Sequence, residues 1–238
     1  MKQLLILIIV CISLTAKGQK TSPAQKILIG FNFSPDYNFR ALKNNDGSSS
    51  SDLIINSRNN YEVAKFGYTT GLSFILNFTQ LIGLETGVQY SNKGYKTKTQ
   101  DLVYFPANPD LPIKATTNYP YNYIGIPVKA RFSFGKSKLR FITGIGFMTN
   151  LLLHAGQTTI YEYSDGRTEK KTQTRTYDFN EVDISSMISI GIDYKLNNKV
   201  HFTAEPTCRY GLTKTIDTPV SEKLWNVGVN LGFYYVLR

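Results

Sequence analysis

Nine charged residues, Glu85, Lys129, Arg131, Arg140, Asp183, Asp193, Lys195, Glu205 and Arg209, sit in stretches where apolar and polar residues alternate. On their own sides of those stretches the neighbours are small: glycines 83, 87, 125, 144, 146, 191, 228 and 232. Acids and bases held together away from water can relay a proton, pass an ion, or pair. An unpaired buried charge is costly. The mixture therefore predicts an ion-paired interior, with Glu85 and Glu205 close to Lys and Arg partners. A proton or ion path through the same interior is the functional alternative.

Other reactive groupings are sparse. His154 and His201 are the only histidines and lie on different segments, so they are not expected to share a metal. There is no Cys-x-x-Cys pair, no phosphate-cradling glycine loop and no helical His-Glu motif. No metal or cofactor is expected, and the chain is read as non-enzymatic. The run from Arg167 to Arg175 (RTEKKTQTR) is basic. It could meet phosphate groups or an acidic partner, or it is a solvated loop.

The charged residues need elements to position them, and a period of two supplies these. Eight segments alternate: 27–40, 61–78, 82–95, 119–134, 139–153, 181–196, 199–212 and 224–237. On the first, Phe31, Phe33, Tyr37 and Phe39 share one face, and Asn32, Ser34, Asp36, Asn38 and Arg40 share the other. Each segment exceeds the ~9–11 residues that a tilted strand needs to cross a bilayer.

Connections alternate as well. Positions 79–81, 135–138 and 197–198 are tight turns, and Asn197-Asn198 suits a two-residue hairpin because Asn tolerates positive φ. The connections near 41–60, 96–118, 155–180 and 213–223 are long and polar, and Ser48 to Ser51 reads as a flexible tip. Short turns at one end and long loops at the other predict an all-β fold. It is an eight-stranded antiparallel up-and-down transmembrane barrel, with short periplasmic turns and long extracellular loops. Eight strands leave an interior that side chains can fill, which disfavours an open porin. Tyr61, Tyr68, Tyr119, Tyr121, Tyr123 and Trp225 are expected in an outer aromatic girdle. Phe78, Phe134, Phe141, Tyr194 and Tyr235 are expected in an inner one.

The chain start agrees with export. Lys2, the apolar run LLILIIVCI and Ala16-Lys17-Gly18 form a signal peptide over 1–18, leaving one barrel domain over 19–238. Lys and Arg number 27 against 17 Asp and Glu, and cleavage removes only Lys2 and Lys17. A basic balance can indicate nucleic acid, but an exported chain with 13% aromatic residues points to the envelope instead. Nucleic acid is therefore not an expected partner. Cys208 alone remains after maturation, so no internal disulfide can form.

Three stretches carry a family resemblance: Tyr123-Ile124-Gly125-Ile126-Pro127-Val128-Lys129, Thr143-Gly144-Ile145-Gly146 and Arg209-Tyr210-Gly211-Leu212. Over residues 25–238 the chain resembles the outer-membrane protein β-barrel domain family, in its PorT-like group. The resemblance implies an integral protein of the Gram-negative outer membrane. Expected partners are outer-membrane lipid, lipopolysaccharide and other envelope proteins. The family's role is usually unassigned, and the first expectation here is a structural or interaction role through the extracellular loops. The alternative is an accessory subunit of a protein-secretion machinery. A lipid A-modifying enzyme is a third reading, which would set His154 beside Ser73 or Ser91, but no His–Ser–acid spacing supports it. Outer-membrane barrels commonly end in an aromatic residue, whereas this chain ends Val236-Leu237-Arg238, with Tyr235 nearby.

Overall fold

The computed structural model describes residues 26–106, 108–135, 137–174 and 179–237. The predicted signal peptide at 1–18 lies outside the described residues. In chain order the elements are β1 (Lys26–Asn44), α1 (Ser49–Tyr61), β2 (Glu62–Asn77), β3 (Ile82–Thr97) and β4 (Gln100–Asp101). There follow β5 (Lys114–Phe134), β6 (Leu139–Glu162), β7 (Thr168–Thr174), β8 (Val182–Lys195), β9 (Val200–Gly211) and β10 (Val220–Val236).

Eight of these strands close a ring in the order β1-β2-β3-β5-β6-β8-β9-β10, and every neighbouring pair is antiparallel. The seam joins the first and last strands, setting Phe31 beside Phe233 and Asp36 beside Gly228. Closure leaves no open edge in the ring, so its backbone groups are paired internally, as a bilayer requires. Among the described residues no helix is long and apolar enough to cross a membrane. The strands are the crossing elements.

Side-chain parity decides the faces. Phe31 is 53% exposed while Asn32 beside it is 1% exposed, and the same contrast separates Val88 from Gln89. Most apolar side chains face out and polar ones face in, with Ile75, Ile142 and Met148 among the apolar residues buried inside. Glycine makes room inside where long side chains cross. A methyl at Gly144 would meet the Lys129 stem at 2.8 Å. At Gly228 it would collide with the Asp36 carboxylate.

The structure departs from the sequence reading in three places. Ser48 to Ser51 is no flexible tip: Ser48 caps α1, its hydroxyl accepting from the Ser51 backbone at 3.1 Å. Such a cap satisfies one of the free N–H groups at a helix start. Secondly, the long connections before β5's predicted start and after β6's predicted end are partly strand. β5 and β6 remain paired out to Lys114 and Glu162, and β7 and β4 flank them as a sheet standing beyond the ring. Thirdly, Tyr121 and Tyr123 are fully buried inside the barrel, where they pack with Tyr95 rather than in a lipid-facing girdle. Tyr61 ends α1 instead of starting a strand. Outward aromatic contacts do occur near both rims, as in Tyr37 with Phe66 (5.5 Å between centroids) and Phe134 with Phe141 (6.2 Å).

Candidate functional site: the barrel interior and its two mouths

The inward faces of the strands build a stack of polar clusters. At its centre are two acids and two bases. Lys129 Nζ on β5 lies 2.9 Å from Glu85 Oε2 on β3 and 3.0 Å from Glu205 Oε2 on β9. Arg131 Nη1, also on β5, reaches Glu85 at 3.2 Å and Glu205 at 3.1 Å. Ser189 donates to Glu205 at 3.0 Å. All four charged side chains are buried. Each pair therefore depends on its partners to offset the cost of leaving water.

Towards the periplasmic end, Asp193 on β8 receives Arg140 Nη2 and lies 2.8 Å from His201 Nδ1. Arg131 Nη2 stands 3.5 Å away and links this group to the centre. Towards the outer end are two further carboxylates. Asp36 accepts from Ser34 and Thr69 at 2.6 Å, from Asn226 at 3.1 Å and from Arg209 at 3.3 Å. Asp183 accepts from Ser185 at 2.9 Å, Asn150 at 3.0 Å and Thr213 at 3.1 Å, with Lys93 Nζ at 3.7 Å.

Of the nine residues singled out in the sequence, Glu85, Lys129, Arg131, Arg140, Asp193 and Glu205 form one connected group. Asp183 and Arg209 belong to the outer clusters. Lys195 is set apart: half-buried at the periplasmic mouth, with no carboxylate within ion-pair distance among the described residues. Sequence reasoning missed Asp36 and Lys93 as members. Both have the inward parity of Asn32 and Ser91, so the signal was present.

The extracellular mouth holds a group that parity could not reveal. Arg58 on α1 reaches over the rim, placing Nε 2.7 Å from Glu62 and Nη2 2.9 Å from Glu222 on β10. The Tyr95 hydroxyl lies 2.7 Å from Arg58 Nη2 and 3.1 Å from Glu222. Arg40 adds a second cation on Glu62 at 2.7 Å. Burial works against the charge on Arg58, but Tyr95, Glu62 and Glu222 outweigh it and raise the affinity of the guanidinium for its proton.

The histidine–serine grouping does not assemble. Ser73 and Ser91 are buried inside the barrel. His154 pairs in register with Asn122, beside the buried pair Tyr121 and Ala155, so it belongs to the opposite, outward face. Among the described residues no set of three His, Cys, Asp or Glu side chains is placed to hold a metal.

A closed antiparallel ring with an apolar exterior and a charged interior defines an integral β-barrel membrane protein. The chain belongs to the family described as outer membrane protein beta-barrel domain, whose model matches residues 18–217. It is accordingly a protein of the Gram-negative outer membrane. No curated protein sequence matches it. Among solved structures it is similar to the Neisserial surface protein A, at 12% identity over 87% of this chain and 95% of that one, with a TM-score of 0.42. It is also similar to OprG from Pseudomonas aeruginosa, at 13% identity over 90% and 97%, with a TM-score of 0.43. A third is Ail from Yersinia pestis, at 11% identity over 88% and 99%, with a TM-score of 0.35.

Proposed function

We propose that this barrel is closed to diffusion and serves as a structural and interaction protein through its extracellular face. The observation that carries this reading is the Arg58–Glu222 contact at 2.9 Å, which ties α1 to a buried carboxylate at the outer mouth. An eight-stranded ring leaves little room beyond its own side chains. A cork held by a buried carboxylate then removes the extracellular entrance. The part available to partners is the sheet β4-β5-β6-β7 beyond the ring. Among the described residues its outermost strand β7 pairs with β6 alone, and it bears exposed Glu169, Lys170 and Lys171. Cations at that height suit the phosphates of lipopolysaccharide or an acidic patch on another envelope protein.

Planar-bilayer recording on the purified protein tests the closed lumen. The expected trace has no steady conductance, and stable channels of nanosiemens size would overturn it. Lipopolysaccharide binding tests the outer sheet: replacing Lys170 and Lys171 by Gln should weaken it. The secretion-accessory reading rests on the PorT-like resemblance and requires a stable protein partner. Pull-down from native membranes separates the two.

A further inference from the structure

We propose that the periplasmic mouth is a binding site for a small organic anion, one carrying a phosphate head and a short apolar body. A cavity of about 430 Å³ opens there between the turns that follow β2 and β5, lined by Lys26, Arg140, Lys195 and His201. This lies within the size range of small-molecule sites. Asp193 is the nearby acid, and Arg140, Arg131 and His201 already occupy it. Deeper in the barrel the cations have carboxylate partners: Lys93 with Asp183, Lys129 and Arg131 with Glu85 and Glu205, Arg209 with Asp36. At this mouth the balance breaks. Neither Lys26, which is exposed, nor half-buried Lys195 has a carboxylate within 4 Å among the described residues, and both line the same open recess as Arg140. Like charges gathered around a recess repel one another and are relieved by a bound anion. The lining also carries an apolar patch, Leu28 and Val236, which are register partners across the seam between β1 and β10. A ligand with a charged end and a hydrocarbon end engages both the cations and this patch, whereas a hydrated inorganic anion engages only the cations.

The phosphate could come from a free periplasmic metabolite or from the headgroup of an inner-leaflet lipid. The test uses the mature protein in uncharged detergent, titrated calorimetrically with butyl phosphate and, in parallel, inorganic phosphate. Saturable butyl phosphate binding, tighter than that of inorganic phosphate, is expected. Two charge-assisted contacts are removed in the variant Lys26→Gln/Lys195→Gln, so its affinity should fall about tenfold or more. The variant Lys96→Gln/Lys98→Gln, which removes the same charge from exposed positions at the opposite end, should bind like the parent. Heat-modifiable gel migration reports that each variant is folded. Absence of saturable binding, or equal loss in both variants, overturns the proposal. Repeating the titration in nanodiscs identifies the source. Competition by phosphatidylglycerol, and not by phosphatidylcholine, assigns the site to an anionic lipid headgroup, and unchanged affinity assigns it to a free anion.

Discussion

Lys129 and Glu205 meet at 3.0 Å across the barrel, although β6 and β8 separate their strands on the short side of the ring. The contact is part of a square in which Lys129 and Arg131 each touch both Glu85 and Glu205. Four strands' worth of wall is thus tied through the centre rather than only through backbone ladders. In a ring already closed by hydrogen bonds, such ties fix which inward faces confront each other.

The square makes a prediction about pairing. Lys129→Met leaves Glu85 and Glu205 sharing Arg131, and should destabilise the barrel by about 3–5 kcal/mol, the usual consequence of stripping a partner from a buried ion pair. Glu205→Met should do the same from the other side. The double variant leaves Arg131 with Glu85, a balanced pair at 3.2 Å. It should recover most of the loss. Urea unfolding in lipid vesicles, followed by the fluorescence of Trp225, measures all three. A double variant as unstable as the sum of the singles would show that the square is not a coupled unit.

A second prediction concerns the cork. Arg58→Ala removes the contacts to Glu222, Glu62 and Tyr95 but touches no ring hydrogen bond. Part-buried bonds to charged groups contribute about 1.5–3 kcal/mol each. Chymotrypsin cleavage within α1 should therefore speed up roughly tenfold or more, while the barrel keeps its heat-modifiable migration. Unchanged cleavage would mean that α1 is held by something other than Arg58.

What the sequence made legible follows from how local each signal is. Face assignment depends on parity within one strand, and Phe31 against Asn32 shows how plainly it can be read. Tyr121 and Tyr123 were misplaced because aromatic type was weighed above parity: they alternate in step with Gly125 and Lys129, which already point inward. The α1 helix was hidden for another reason. SSSDLIINSRNNY has no apolar stripe. Its position is set by contacts to the strands, Arg40 to Asn59, Asn44 to Asp52 and Arg58 to Glu222, a residue 164 positions away that nothing near Arg58 in the chain announces. Cross-lumen partners such as Lys129 and Glu205 were predictable as types but not as pairs. Which inward residues share a height depends on the stagger accumulated around the whole ring.

The lipid-facing assignment can be checked at Cys208, the one cysteine among the described residues, which is free and exposed on the apolar exterior. Its register neighbours are Ile188 on β8 and Val227 on β10. In vesicles a water-soluble maleimide should leave Cys208 of the mature chain unmodified. A Cys208→Ala/Gly166→Cys variant, with its thiol at the tip between β6 and β7, should react at once. Both should react after unfolding in urea. Rapid labelling of Cys208 in the folded, vesicle-bound protein would place that face in water and contradict the membrane band.

The last prediction is a pH dependence confined to the β6–β7 hairpin. The Arg167 backbone N–H, with its guanidinium, lowers Asp165 below the ordinary carboxylate value of 3.8. The Tyr163 hydroxyl, which donates to Glu169 at 2.6 Å, together with Lys171, lowers Glu169 below its ordinary 4.5. Both carboxylates thus hold their protons less tightly in the hairpin than in an open chain, so ionisation favours the hairpin. That support is complete at neutral pH, weakens once the pH falls below about 4.5, and is gone below the lowered folded values. Among the described residues β7 has no ladder partner except β6, which leaves the hairpin little else to lean on. Amide hydrogen exchange between pH 6 and 3, corrected for intrinsic rates, should show Thr168 to Thr174 losing protection while β1 and β10 keep theirs. Asp165→Asn with Glu169→Gln should flatten that profile, because neither replacement titrates. If the variant and the parent lose protection together, the hairpin's acid sensitivity does not come from these two carboxylates.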